Sequence, residues 1–184
     1  MKIISFLNFK GGVGKTTSTH SIAAGLQMKG KKVLVIDMDP QGTLTFFSKG
    51  ERELNGDTRE ILFHEKTIGE AITNGEEFDF IGSNIKLATS ELLLNNGYNK
   101  EQKLKKAIDK MAKEYVYDFI LIDCPPSLSV FTLNALTASS DLIIPCECEL
   151  ASLEGLDLLL ATLKTPISTL NPDLKILGIL PTKL

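Results

Sequence analysis

Short apolar runs alternate along the chain with longer segments in which hydrophobic residues recur every three or four positions. The short runs are continuous and rich in β-branched residues, which is typical of strands buried on both faces of a parallel sheet. The longer segments have the period of amphipathic helices, and Gly30 stands where a glycine would end the first of them. The pattern predicts strands over residues 3–7, 33–36, 78–81, 119–122, 142–144 and 176–180. It predicts helices over residues 15–29, 84–95, 100–114 and 152–164, with a break near Pro166, and a short helix over 67–73 within the irregular segment 43–75.

These elements follow one another as strand, helix, strand, which is the order of repeated βαβ units. Such units form a parallel sheet whose crossover helices cover both faces. The sequence therefore predicts an α/β fold with a doubly wound, mostly parallel sheet, in a single domain over residues 1–184. A fold of this kind rarely ends on a strand that lacks a covering helix. Because the chain stops four residues after the last predicted strand, we expect the domain to be truncated at its C-terminal end.

Composition argues against two classes of protein. The chain has 184 residues, of which 43% are hydrophobic and 23% charged, and its net charge is −3. Its bulk charge is therefore not that of a polyanion-binding protein, and any contact with nucleic acid would need a local basic patch. Its apolar runs are strand-sized and well short of the ~20 residues that span a bilayer, so no membrane attachment is expected. Cys124, Cys146 and Cys148 lack the spacing of a metal site, and we expect them to be small buried apolar residues in a reducing cytoplasm.

A glycine-rich loop follows the first predicted strand and leads directly into the first predicted helix. Gly11, Gly12 and Gly14 carry no Cβ atom, so the backbone N–H groups of this loop can close around phosphate oxygens. The following helix adds the positive end of its dipole. Lys15 is placed to reach the β- and γ-phosphates, and Thr16 to bind Mg²⁺ through its hydroxyl group. The predicted nucleotide-binding residues are Lys10, Gly11, Gly12, Val13, Gly14, Lys15, Thr16 and Thr17.

Three aspartates follow two of the predicted strands. Asp37 and Asp39 follow the strand at 33–36, and Asp123 follows the strand at 119–122. Because the carboxyl ends of parallel strands line the ligand crevice, we expect all three carboxylates to approach the glycine-rich loop. A carboxylate at the end of an apolar strand is otherwise difficult to satisfy. The sequence thus predicts acidic groups that can bind Mg²⁺ and orient water beside a bound triphosphate.

The loop differs from the common phosphate-binding pattern GxxxxGK[ST]. The first glycine of that pattern would fall at Phe9, and the chain instead has a second lysine, Lys10, five residues before Lys15. This deviant loop resembles that of the ParA/MinD family of P-loop ATPases. The resemblance implies that Lys10 crosses a dimer interface and contacts the ATP of the partner subunit. A cation delivered in this way would neutralise charge on the transferring phosphoryl group, as an arginine finger does.

The same resemblance implies ATP and Mg²⁺ as cofactors and gives each acidic residue a role. Asp123 resembles the Walker B aspartate, which holds Mg²⁺ directly or through water. Asp37 supports the metal shell or its hydrogen-bond network, and Asp39 corresponds to the residue that positions the attacking water. The predicted catalytic residues are Lys10, Lys15 and Asp39, and the predicted metal site comprises Thr16, Asp37 and Asp123.

The Asp-Pro-Gln-Gly stretch from Asp39 to Gly42 resembles the ParA/Soj branch of the family, which segregates plasmids and chromosomes. The resemblance implies a slow ATPase that dimerises when ATP binds, binds DNA without sequence preference and is stimulated by a ParB-type partner. It also implies a cytoplasmic, nucleoid-associated protein. A MinD-like or orphan ParA-like ATPase that positions a division protein or another protein cargo stays an alternative, as does a nucleotide-binding fragment that does not hydrolyse ATP.

Four lysines share one face of the helix predicted over 100–114. A basic stripe of this kind can contact DNA phosphates without reading bases. Acidic residues at positions 101, 109 and 114 dilute the positive charge, so the polar side of an ordinary surface helix is the favoured interpretation. The four residues are Lys103, Lys106, Lys110 and Lys113.

Overall fold

The computed structural model describes residues 1–183, except for the side chains of residues 150–153. The strands are β1 (Lys2–Phe6), β2 (Val33–Asp37), β3 (Thr73–Asn74), β4 (Asp79–Ile81), β5 (Phe119–Asp123), β6 (Asp141–Glu147) and β7 (Lys175–Thr182). The helices are α1 (Lys15–Met28), α2 (Thr43–Lys49), α3 (Thr58–Leu62), α4 (Ile68–Ala71), α5 (Lys86–Thr89), α6 (Glu91–Asn95), α7 (Lys103–Met111), α8 (Val130–Ala138) and α9 (Leu150–Leu170), with a 3-10 turn at Lys100–Gln102 before α7.

The strands form one sheet in the order β3-β4-β2-β5-β1-β6-β7. Neighbouring strands are parallel except β3 and β4, which are antiparallel. Strands β2, β4 and β3 lie on one side of β1, with β5 inserted between β1 and β2, and strands β6 and β7 lie on the other side, so the sheet is doubly wound. Alternate side chains of β2 face opposite layers: Leu34 and Ile36 pack in one apolar cluster, whereas Val33 and Val35 pack in another with Ala23 of α1. The predicted α/β fold class is confirmed.

Helix α8 is absent from the sequence prediction. Nearly all of its side chains are buried, so its apolar residues do not recur with the helical period that marks a surface helix. Ser129 caps it, because its side-chain oxygen accepts a hydrogen bond from the N–H of Thr132 at 3.5 Å. Buried Asn134 donates from Nδ2 to two backbone carbonyls. A helix buried on all sides therefore gave no periodic signal.

Helix α9 passes through Pro166, so the predicted break near this residue is wrong. Proline lacks an N–H, and the carbonyl of Thr162 consequently loses its usual helical donor. Pro166 and Thr162 are both only half-buried, so water can reach this part of the helix. Leu159 and Leu163 are fully buried just before the proline. Packing of this apolar side compensates for the lost hydrogen bond and keeps the helix continuous.

The irregular segment at 43–75 contains three short helices, of which the sequence predicted only α4. Two of them begin with a capping box, in which Asp57 pairs with Glu60 and Thr67 with Glu70. The helix predicted over 84–95 divides at Ser90 into α5 and α6. Such short helices make too few turns to give a clear period.

Two of the three cysteines, Cys124 and Cys146, are buried, as the sequence predicted. The third, Cys148, was expected to be buried but is exposed, because β6 ends one residue before it.

In α7, apolar residues including Leu104 and Ile108 pack on the core while the lysines face outward. None of the helices in the described part of the chain has both the length and the apolar character needed to cross a bilayer.

Candidate active site

The glycine-rich loop runs from the end of β1 at Phe6 to the start of α1 at Lys15. Gly12 and Gly14 have φ angles of 75° and 84°, in the left-handed region that residues with a side chain rarely adopt. Gly14 is also the N-cap of α1, so the loop turns where the unpaired N–H groups of the helix begin. A Cβ atom on Gly11 or Gly12 would meet no atom within 4 Å. Open space therefore adjoins this backbone, as a phosphate group would need.

Lys15 is buried although it carries an ionisable group. The residue is only 7% exposed, and its Nζ donates a hydrogen bond to the carbonyl oxygen of Lys10 at 3.2 Å. Burial lowers the pKa of Lys15, while the negative charge of Asp123 acts in the opposite sense. An additional anion near this ammonium group, such as a phosphate, would stabilise its charged form.

Thr16 and Asp123 join the start of α1 to the end of β5. The Thr16 hydroxyl donates a hydrogen bond to Asp123 Oδ2 at 2.6 Å. The other oxygen of Asp123, Oδ1, is buried and has no hydrogen-bond partner among the described residues. Burial, with a smaller contribution from Asp37, raises the pKa of Asp123 to about 8. A buried carboxylate oxygen without a partner, next to a hydroxyl group, is an oxygen-donor set that fits Mg²⁺.

Asp37 stands beside Asp123, because the two residues are partners in the register of β2 and β5. Its Oδ1 accepts a hydrogen bond from the N–H of Asp39 at 3.0 Å, and its Oδ2 accepts from the N–H and hydroxyl of Thr45 at 2.9 and 2.6 Å. Burial raises the pKa of Asp37 to about 6, although the bonds from Thr45 lower it. Both oxygens thus hold segment 39–45 in place. A direct contact between Asp37 and Mg²⁺ stays a prediction.

Asp39 lies in a tight turn that follows β2. Its Oδ1 accepts a hydrogen bond from the N–H of Gln41 at 2.9 Å, and its carbonyl oxygen accepts from Gly42 at 2.9 Å. Gly42 has a φ of 64°, and a Cβ atom there would lie 2.8 Å from the carbonyl oxygen of Ser83. Only glycine fits without displacing that backbone. The turn leaves Asp39 half-buried and close enough to Lys15 for an electrostatic interaction.

Lys10 lies at the mouth of the loop and extends toward the end of β6. Its ammonium group donates a hydrogen bond to Glu147 Oε2 and lies 3.6 Å from Glu149 Oε2. The hydrogen bond to Glu147 raises the pKa of Lys10. Lys183 pairs with the other carboxylate oxygen of Glu147. In the single subunit Lys10 therefore contacts acidic groups of its own chain, and its contact with a partner's ATP stays a prediction.

Asn8 supports the loop from behind. Its Nδ2 donates to the carbonyl oxygen of Pro145 in β6 at 2.8 Å, and its Oδ1 accepts from the N–H of Lys10 at 3.0 Å. The sequence prediction did not include this residue. A polar amide directly after an apolar strand and before the glycines was the available signal, because such a buried group needs partners.

Thr182 attaches β7 to the same loop, although it is not among the predicted phosphate-loop residues. Its hydroxyl donates to the carbonyl oxygen of the buried Val13 at 2.9 Å, and its methyl carbon lies 3.5 Å from a Cβ position on Gly14. Thr17, which the sequence predicts to bind nucleotide, is exposed on α1, and its contact with a nucleotide stays a prediction. Thr182 and Glu147 carry no local sequence signal for this site, because their partners are far away along the chain.

Comparison with known proteins agrees with the fold and with the loop. A family model described as an AAA domain matches residues 1–176. The sporulation initiation inhibitor protein Soj of Bacillus subtilis is 42% identical to this chain over 186 residues, which cover 100% of this chain and 73% of Soj.

Two solved structures extend the comparison. One is the structure of cobyrinic acid a,c-diamide synthase from Mycobacterium smegmatis with a bound ATP analogue and magnesium. It has a TM-score of 0.91 at 38% identity, and the match covers 98% of this chain and 74% of the Mycobacterium protein. The structure of a putative plasmid partition protein of Borrelia burgdorferi bound to AMPPNP has a TM-score of 0.83 at 35% identity. The match covers 97% of this chain and 73% of the Borrelia protein. The fold and the loop define a P-loop ATPase. Within that class, the chain belongs to the ParA/Soj family.

Proposed function

We propose that this chain is a Mg²⁺-dependent ATPase that partitions plasmid or chromosomal DNA. ATP brings two subunits together as a sandwich dimer, the dimer binds DNA without sequence preference, and a ParB-type partner stimulates a slow intrinsic hydrolysis. The protein acts in the cytoplasm on the nucleoid. The observation that carries the proposal is the presence of two lysines in one phosphate loop: Lys15 is buried inside it, and Lys10 lies exposed at its mouth. The partition protein from Borrelia burgdorferi supports DNA as the cargo.

The loop binds the triphosphate through its backbone and Lys15. The left-handed glycines Gly12 and Gly14 direct backbone N–H groups toward the phosphate oxygens, and α1 adds the positive end of its dipole. Thr16 and Asp123 would hold Mg²⁺, because Asp123 Oδ1 is the buried oxygen that needs a partner. When bound, Mg²⁺ neutralises charge on the phosphate oxygens and so assists their transfer.

Asp39 and the two lysines act on the phosphoryl group. Asp39 orients the attacking water, since its carboxylate is only half-buried and its turn is fixed by Gly42. Lys15 and Lys10 of the partner subunit stabilise the negative charge of the transition state. Hydrolysis is slow in isolated subunits because one of these cations comes from a second molecule.

Light scattering with ATP tests the dimer. Lys10→Ala should abolish ATP-dependent dimerisation while nucleotide affinity, measured by titration of a fluorescent ATP analogue, stays within about twofold. Lys29→Ala removes a lysine from the exposed C-terminal end of α1 and serves as the matched control. A Lys10→Ala protein that dimerises like the wild type would refute the trans-acting lysine.

DNA binding and hydrolysis need a separate experiment. Mobility-shift titrations with a duplex of arbitrary sequence should show binding with ATP but not with ADP, and phosphate release should rise when DNA and the cognate ParB-type protein are added. Dimerisation without DNA binding would instead favour positioning of a protein cargo. ATP binding without phosphate release under any of these conditions would favour a nucleotide-binding fragment.

A further inference from the structure

The carboxylate of Glu147 lies between two lysines from different parts of the chain. Lys10 of the phosphate loop donates to Oε2, and Lys183, directly after β7, pairs with Oε1. The Glu147 side chain is only 8% exposed, whereas those of Lys10 and Lys183 are 45% and 62% exposed. The carboxylate is thus packed inside the protein, whereas the two lysine side chains extend toward solvent. Glu149 adds a second, more distant carboxylate, 3.6 Å from Lys10.

The sheet holds this carboxylate at the loop. Glu147 is the last residue of β6, which pairs in parallel with β7 so that Glu147 stands opposite Thr182. Thr182 donates to Val13 inside the loop, and Asn8 donates to the carbonyl oxygen of Pro145, two residues before Glu147. Together with the Lys10–Glu147 contact, these hydrogen bonds join the loop to the ends of β6 and β7. Unlike the bonds of Thr182 and Asn8, the Lys10–Glu147 contact joins two charged side chains.

We propose that Glu147 is a positioning residue that holds Lys10 on its own subunit, so that Lys10 must leave Glu147 before it can reach the nucleotide of a partner subunit. The inference rests on the proposed function, because it presupposes that Lys10 acts in trans. Glu147 then sets the ATP concentration at which dimers form. Lys183 opposes this effect, since it binds the second oxygen of the same carboxylate and weakens the attraction that Glu147 exerts on Lys10.

Two substitutions at this carboxylate are expected to act in opposite directions. Glu147→Gln removes the negative charge that competes with phosphate for Lys10, so dimers should form at lower ATP concentration. Lys183→Gln removes the lysine that binds the second oxygen of Glu147, so the carboxylate attracts Lys10 more strongly and dimers should need more ATP. A carboxylate that instead aims Lys10 toward the partner would give the reverse signs, and a carboxylate with a purely structural role would give no shift.

The test is the ATP concentration at half-maximal dimerisation, measured by light scattering on the full chain. We expect a decrease of about threefold for Glu147→Gln and an increase of about twofold for Lys183→Gln, the range of a partly exposed ion pair. Glu154→Gln removes the same charge from an exposed position on α9 and should leave the midpoint unchanged. The proposal is overturned if Glu147→Gln leaves the midpoint unchanged or raises it, or if both variants at the carboxylate shift it in one direction.

Acetylation of lysines in the nucleotide-free protein gives a readout that does not depend on dimerisation. Peptide mass spectrometry after brief treatment with acetic anhydride reports the reaction rate of Lys10, with Lys29 as an internal reference. Glu147→Gln should raise the Lys10 rate about threefold and Lys183→Gln should lower it. Unchanged acetylation rates would show that Glu147 does not hold Lys10 and would overturn the proposal. If the rates shift as expected but wild-type protein stays monomeric with ATP, the proposed function fails, and the inference that Glu147 controls assembly fails with it.

Discussion

Asp37 and Asp123 face each other as register partners on two neighbouring strands, yet their carboxylates have different surroundings. Asp37 accepts hydrogen bonds at both oxygens, whereas Asp123 has one oxygen without a partner among the described residues. The parallel sheet places two acidic groups side by side, and the loop at 39–45 satisfies one of them. The structure therefore distinguishes a supporting carboxylate from one that is available to a cation.

Substitution of Asp37 tests the supporting role. Asp37→Ala removes the acceptor of three hydrogen bonds from Asp39 and Thr45, and should lower the free energy of unfolding by about 2 kcal/mol, because buried donors lose their partner. Urea denaturation followed by circular dichroism measures the loss. Asp118→Ala removes one exposed acceptor, that of the N–H of Lys32, and should cost less than about 1 kcal/mol. Equal losses in the two variants would contradict the role given to Asp37.

Thr16 provides a test of the proposed magnesium site. Thr16→Ala removes the hydroxyl group that lies 2.6 Å from Asp123 Oδ2, and should weaken ATP binding about tenfold when Mg²⁺ is present. Isothermal titration calorimetry measures this effect. In EDTA, wild type and variant should bind ATP with affinities that agree within about twofold, because the hydroxyl group then has no cation to hold. A defect of the same size with and without Mg²⁺ would show that Thr16 acts on the nucleotide or the fold instead.

Gly42 offers a prediction that depends on backbone geometry alone. Gly42→Ala places a Cβ atom 2.8 Å from the carbonyl oxygen of Ser83 on a residue with φ of 64°, and should reduce the free energy of unfolding by about 2 kcal/mol. Gly25→Ala is the matched control, since Gly25 lies inside α1 and a Cβ atom there meets nothing within 4 Å. The control should gain about 0.5 to 1 kcal/mol. Thermal and urea unfolding of both variants measure the difference, and similar changes in both would refute the steric argument.

Asp39 provides the test of hydrolysis. Asp39→Ala should bind ATP and form dimers like the wild type, while phosphate release in the presence of DNA and the partner falls at least about 100-fold, because the water loses the group that orients it. A phosphate-release assay and light scattering on the same samples separate the two steps. Asp39→Asn keeps the acceptor for Gln41 N–H and controls for a collapsed turn. Normal phosphate release by Asp39→Ala would refute the role in positioning water.

The sequence predicted those parts of the molecule that are encoded by residues close together along the chain. The continuous apolar runs that became β2 and β5, and the glycines that lead into Lys15, each carry a local signal. Helix α8 did not, because burial on all sides removes the helical period. Helix α9 continues past Pro166 because its apolar side packs on the core. The residues near Pro166 in the sequence do not reveal that packing.

The candidate site shows the same division. Lys10, Lys15 and the aspartates follow from the loop and the strand ends, whereas Glu147 could not be predicted from local sequence. Its partner Lys10 is 137 residues away along the chain, and only the position of β6 beside β1 brings them together. The residue that holds an exposed cation is thus visible only in three dimensions.

The hydrogen bond from Thr182 to Val13 joins positions 169 residues apart. During synthesis the glycine-rich segment leaves the ribosome well before the strand that anchors it. A nascent chain that has formed β1 and α1 therefore lacks one support of its phosphate cradle until β7 is added to the sheet. Tight capture of nucleotide should consequently wait until β7 has paired with β6, so that cellular ATP selectively stabilises molecules in which this strand is in place.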